Sequence, residues 1–191
     1  RPSSTNSVVK ALRRWHHEED IRKLFWSSGS NEYRKTIDDS FLNYTSWWDQ
    51  VPLPTPKNIT RGVVPGDFSA IVEKPGIRLG VVGLNTAFLQ LTDDDYEEQL
   101  DIHESQILAV CDNDPDRWVD QVDMAILITH HGADWFHREA KSRFLSEIYP
   151  PGRFFSHLHG HLHEPSATNF SQGGAEERRY RQGPSIFGLR T

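Results

Sequence analysis

Ser156-His157-Leu158-His159-Gly160-His161-Leu162-His163-Glu164-Pro165 sets four histidines at alternate positions around a single glycine. On extended backbone alternate side chains share a face, roughly 6.6 to 7 Å apart, so one strand end aims several imidazoles the same way. Arg153-Phe154-Phe155 reads as a short apolar strand leading into them, and Gly160 with His161-Leu162-His163 as its turn out of the sheet. The chain has ten histidines in 191 residues, so solvated histidine on a half-buried surface competes with this reading. The spacing favours metal ligation.

A second stretch points the same way. Met124-Ala125-Ile126-Leu127-Ile128-Thr129 is an unbroken apolar run ending in His130-His131-Gly132. Such a run suits a strand buried on both faces, and α/β proteins place ligands beyond the carboxyl ends of their strands. Two strand ends therefore present histidine.

These two motifs, in this order and with a helical segment between them, resemble the calcineurin-like metallophosphoesterases, a family that includes the purple acid phosphatases. Gly160-His161-Leu162-His163 matches the closing Gly-His-x-His signature in full. His130-His131 matches the earlier His-His-Pro or His-x-Pro strand end, with Gly132 where proline is usual. The likeness runs over about residues 60 to 190.

The resemblance implies an α/β fold, a two-sheet α/β sandwich of which residues 52–191 form the second half, and the amphipathic pattern ahead of it reads as a helical insertion or cap over 1–51. It implies that His130 and His161 bind one metal and His163 the neighbouring one. His131 becomes a catalytic residue, facing the substrate or supporting the ligands, or else the ligand in place of His130. His157 and His159 inherit no role and read as packing or support on the same strand. Two divalent ions (Mn, Zn, Fe or Ni) roughly 3.5 to 4 Å apart would share a bridging hydroxide and clamp a phosphoryl centre. The implied reaction is hydrolysis of a phosphate ester, by a phosphodiesterase, nuclease or phosphatase. A single zinc held by His130, His161 and His163 is the alternative centre. A degenerate module binding a partner through its helical region is the other.

The family's upstream signatures, Asp-x-His, Gly-Asp and Gly-Asn-His, have no credible counterpart. Asp101-Ile102-His103 spells the first, but Asp101 reads as a helix N-cap. Gly66-Asp67 follows Pro65 at a turn, and Asp112-Asn113-Asp114-Pro115-Asp116 reads as a solvated turn. The chain therefore reads as the later part of a larger domain, whose upstream segment supplies the Asp and Asn ligands.

Net charge is −6 with one cysteine, Cys111. No intrachain disulfide can form, which points to a reducing, cytoplasmic setting, and no apolar run reaches the ~20 residues of a membrane span. The acidic balance argues against a broad nucleic-acid-binding face, although the substrate could be a nucleotide or nucleic acid. Arg178, Arg179 and Arg181 form a local basic cluster, read as a substrate phosphate site or a solvated hairpin face in equal measure.

Periodicity fills in the rest. Ser7 to Trp26 and Ser30 to about Trp48 read as two amphipathic helices, their tryptophans assigned to packing. Pro52, Pro54 and Pro56 form a linker. Phe68–Val72 and Ile77–Leu84 flank a Pro75-Gly76 turn, with Asn85-Thr86 a structural exit. Helices are expected near 97–111 and 137–148, and a last hairpin from Phe170–Gln172 and Arg179–Phe187.

Overall fold

The computed structural model describes residues 2–27, 29–52, 56 and 58–184, so Pro54 and the end of the expected last hairpin lie outside the described residues. Strands β1 (Ile59–Arg61), β2 (Phe68–Lys74), β3 (Ile77–Leu84), β4 (Met124–Thr129), β5 (Ser156–His159), β6 (Ser166–Phe170) and β7 (Arg178–Gln182) form one mixed sheet, ordered β1-β2-β3-β4-β5-β7-β6. The centre is parallel, β3 with β4, β4 with β5 and β5 with β7, while β1, β2 and β6 run antiparallel along the edges. The protein is thus an α/β fold.

β4 is not buried on both faces. Ala125, Leu127 and Thr129 are buried, while Met124, Ile126 and Ile128 are only partly covered. Registered neighbours extend each face across the sheet. Val82 and Leu84 lie beside Leu127 and Thr129 on the face covered by helix, whereas Val81 and Leu158 lie beside Ile126 and Ile128 on the half-exposed face.

The helices are shorter than their periodicity suggested. α1 (Ser7–Arg13) and α2 (Glu19–Trp26) replace one helix, and α3 (Glu32–Ser40) and α4 (Leu42–Gln50) replace the next. The first break is a 3-10 turn, Trp15–His17, which seats Trp15 in the core at 2 % exposure. Its indole Nε1 donates to Asp101 Oδ2 at 2.6 Å, and it meets Phe25 and Phe88 edge-on. A continuous helix would carry this ring away from its acceptor. At the second break Phe41 leaves helical geometry, with ψ at 8°.

Beyond β3 come α5 (Glu104–Val110), α6 (Pro115–Val119) and α7 (Arg138–Arg143), the last running into a π turn at Phe144–Ile148. Asp101 is not the cap of α5. His103 is, its Nδ1 accepting from the Ser105 N–H while Gln106 Oε1 accepts from the His103 N–H. The solvated turn read at 112–116 follows α5, with Asp112, Asn113 and Asp114 exposed, and its last two residues open α6, with Asp114 as the cap. The strand expected at Arg153–Phe155 begins three residues later, at Ser156.

Asp101 ties the N-terminal helices to the sheet domain: it is 2 % exposed, and Oδ1 also accepts from Arg143 Nη1 at 3.0 Å. Removing it leaves the buried indole N–H without its acceptor and takes one of several acceptors from the Arg143 guanidinium. Asp101→Ala should lower unfolding free energy by about 2–3 kcal/mol, read from a urea transition at pH 7.

Candidate metal centre

β4 ends at Thr129, and the next two residues are histidines at the carboxyl edge of the sheet. β5 ends one strand away, where the Gly160 N–H donates to the His130 carbonyl at 3.0 Å and draws the histidine turn against β4. His161 then takes a left-handed conformation, φ 75°, which turns its ring back toward the β4 end. Imidazole nitrogens of His130, His131 and His161 all lie within 4.8 Å of one another. Nε2 of His130 is 3.2 Å from Nδ1 of His161. Two nitrogens bound tetrahedrally to one zinc at 2.0–2.1 Å would stand about 3.3 Å apart.

His131 is fully buried, and its Nε2 has no hydrogen-bond partner among the described residues. A buried polar atom left so costs about 1–3 kcal/mol, and a cation between the three rings would satisfy it. All-nitrogen donors suit zinc, manganese, iron or nickel better than magnesium or calcium. The residues present therefore fit a transition-metal ion.

One threonine meets this ring and a second holds its backbone. Thr86 Oγ1 accepts from the His131 N–H at 3.1 Å and lies 2.9 Å from its Nδ1. If Nδ1 carries the proton, Thr86 accepts it and Nε2 offers its lone pair to the site, the usual way an outer group fixes the tautomer of a metal-binding histidine. Thr129 Oγ1 donates to the His131 carbonyl at 2.6 Å. Its one hydrogen being used there, Thr129 must accept from His157 Nε2 at 2.7 Å. The buried His157 is thereby fixed as the Nε2–H tautomer, its ring packed beside Phe144 and Tyr149.

Burial, with the charges of His130 and His161 as lesser causes, pushes His131 down to about 3. Burial takes His157 down to about 3 as well, His159 contributing. It also lowers His130, with His161 and His163 adding to the effect, and His161, with His163 adding. The imidazoles are thus held neutral, the state that ligates metal.

His130 and His161 meet as expected. His131, read as a catalytic or supporting residue or as the alternative ligand, stands within the cluster, whereas His163 is exposed outside it with φ 60°. The basic cluster does not converge. Arg178 donates to the carbonyls of Tyr149 and Leu145. Arg179 pairs with Glu177 and covers the Phe155 ring, and Arg181 donates to Asn169 Oδ1. Arg181, registered with Leu158, is the one closest along β7 to the histidine end. Sequence reasoning missed Thr86, whose only signal was its place just past an apolar strand, and Trp135, whose ring lies 4.1 Å from that of His161.

The acidic decoys have structural roles. Asp67 is 2 % exposed and accepts from the Val64 and Asn85 N–H groups and from Gln106 Nε2, with burial raising it to about 6. Asp101 is bound to Trp15 and Arg143 as described.

Comparison with known protein families, with curated proteins and with solved structures finds no match. Among the described residues no helix is long and apolar enough to cross a membrane.

Two outcomes follow. Thr86→Val keeps the shape but removes the hydroxyl beside His131, and should weaken zinc affinity about 10–100-fold in a chelator competition assay. His157 has its folded value depressed below the ordinary histidine value of 6.5, so its contribution to stability is present above pH 6.5 and is lost as pH falls from there toward 3. Against His157→Gln, the wild type should lose about 2 kcal/mol of unfolding free energy between pH 7 and pH 5.

Proposed function

We propose that this protein hydrolyses phosphate esters with the help of divalent metal ions, as a metallophosphoesterase. The observation that carries the reading is the convergence of His130, His131 and His161 at the carboxyl ends of two adjacent parallel strands, with a buried nitrogen of His131 open to a ligand. The order of the two histidine motifs, matching the calcineurin-like pattern, adds the reaction class. The three clustered imidazoles would hold one ion. His163 would hold a second. The half-exposed apolar face at Val81, Ile126, Ile128 and Leu158 supports a second sheet packing there, in a two-sheet sandwich.

When bound, divalent ions polarise a phosphoryl centre and lower the pKa of water. The chain's own part is to hold unprotonated nitrogens in place. Thr86 and Thr129 anchor His131 from both sides, and the Gly160 to His130 hydrogen bond keeps the two strand ends in register.

One observation favours a mononuclear zinc hydrolase instead. Among the described residues no carboxylate joins the cluster, and three histidines with an open fourth position form a complete catalytic set. The set would be His130, His131 and His161, with His131 in the place expected of His163.

Elemental analysis of protein purified without chelator separates the two, expecting two ions per chain for the dinuclear centre and one zinc for the mononuclear one. His161→Ala should lower turnover of bis(4-nitrophenyl) phosphate at least 100-fold under either. Wild-type turnover in that variant would refute the hydrolytic reading.

A further inference from the structure

The chain does not leave the histidine cluster directly after His131. Ala133–Trp135 forms a 3-10 turn in which the Trp135 N–H donates to the Gly132 carbonyl at 3.1 Å. Gly132 is required at its start, because a Cβ there would stand 2.9 Å from Cε1 of the His159 ring. The far side of the turn is clamped as well. The Leu100 N–H donates to the Trp135 carbonyl at 3.0 Å, and the His137 N–H donates to the Leu100 carbonyl at 2.9 Å. Leu100 and Phe136 are both buried in the core, so the backbone that carries Trp135 is held before and after it.

The Trp135 ring meets two of the three clustered imidazoles. It stands edge-on to His161, 4.1 Å between centroids at an interplanar angle of 77°, and lies 5.4 Å from His131. The two histidines differ in what else holds them. His131 is fully buried and meets Thr86 through Nδ1. His161 sits on a turn with φ 75°, next to the exposed Leu162, and its Nδ1 is 3.2 Å from His130 Nε2. That last contact cannot steer His161 in a metal-bound state, because two nitrogens that both turn lone pairs to an ion leave neither a proton for the other. Apart from the rings of His130 and His131, the one recorded against His161 among the described residues is Trp135.

We infer that Trp135 is the positioning residue for His161, holding its imidazole in the ligating orientation before an ion arrives. The inference rests on the metal centre of the proposed function and adds a residue outside the ligand set. An edge-to-face aromatic pair is favourable beyond the area it buries. A ligand already set in its bound rotamer also avoids the ordering cost of binding.

Zinc and cobalt titrations of wild type, Trp135→Ala, Trp135→Phe, His161→Ala and the Trp135→Ala/His161→Ala double variant test it, with urea transitions checking that each is folded. Trp135→Leu, which keeps bulk without a ring, replaces the alanine variant if that one unfolds. Zinc affinity by chelator competition should fall about 5–10-fold in Trp135→Ala, with Trp135→Phe recovering most of the loss. The visible absorption of bound cobalt, which reports its ligand set, should move in Trp135→Ala toward that of His161→Ala and return in Trp135→Phe. In the His161→Ala background, Trp135→Ala should weaken zinc less than about twofold further, because the ring it acts through is already gone. Equal losses in both backgrounds, or wild-type affinity in Trp135→Ala, overturn the positioning role and leave the metal centre standing. Wild-type protein that binds neither zinc nor cobalt refutes the centre and this inference together.

Discussion

One buried imidazole organises this molecule's candidate centre. His131 lies in the interior with a free nitrogen, and burial makes its protonated form so unfavourable that the ring stays neutral throughout the physiological range. A neutral ring has one lone pair to offer, and the Thr86 hydroxyl beside Nδ1 is the group that acts on the ring, while the Thr129 hydroxyl holds the backbone carbonyl of the same residue. Thr86 lies just past the end of β3 and Thr129 at the end of β4, so the parallel pairing of those strands places both supports. His161 then arrives by a single backbone hydrogen bond between Gly160 and His130. Its left-handed backbone, uncommon outside glycine, is kept by that closure.

The two buried carboxylates Asp67 and Asp101 are already engaged. Asp67 receives three N–H donors and Asp101 receives an indole, a guanidinium and the N–H of Ile102. Both are buried at 2 % exposure. An oxygen saturated by donors inside the protein has little to give a cation, which separates these residues from ligands despite their motif-like surroundings. Their work is mechanical: Asp67 gathers the β1–β2 loop, the exit of β3 and α5 around one point, and Asp101 docks the broken N-terminal helix. The β1–β2 loop and the support of His131 are thus joined through Asn85 and its neighbour Thr86.

Periodicity made the β2–β3 hairpin and the β4 strand legible, because alternation and turn chemistry are local, whereas the strand expected at Phe170–Gln172 ends at Phe170 and begins at Ser166. Histidine spacing made the two strand ends legible for the same reason. The helices failed locally. Residues 7–26 carry an amphipathic pattern throughout, yet the chain breaks at Trp15 because a hydrogen bond to Asp101, 86 residues away, outweighs the continuity of one helix. Asp101 itself had the residue type and position of a cap, and lost that role to His103 once its oxygens were claimed from afar.

By itself the sequence determined which chemistry is present: neutral-capable nitrogen donors, at alternate positions, at the ends of apolar strands of an α/β chain. Only the tertiary structure decided which of those donors meet. His131 enters and His163 stays outside because membership depends on strand register and on the sense of a turn, and both are settled by contacts between segments about thirty residues apart.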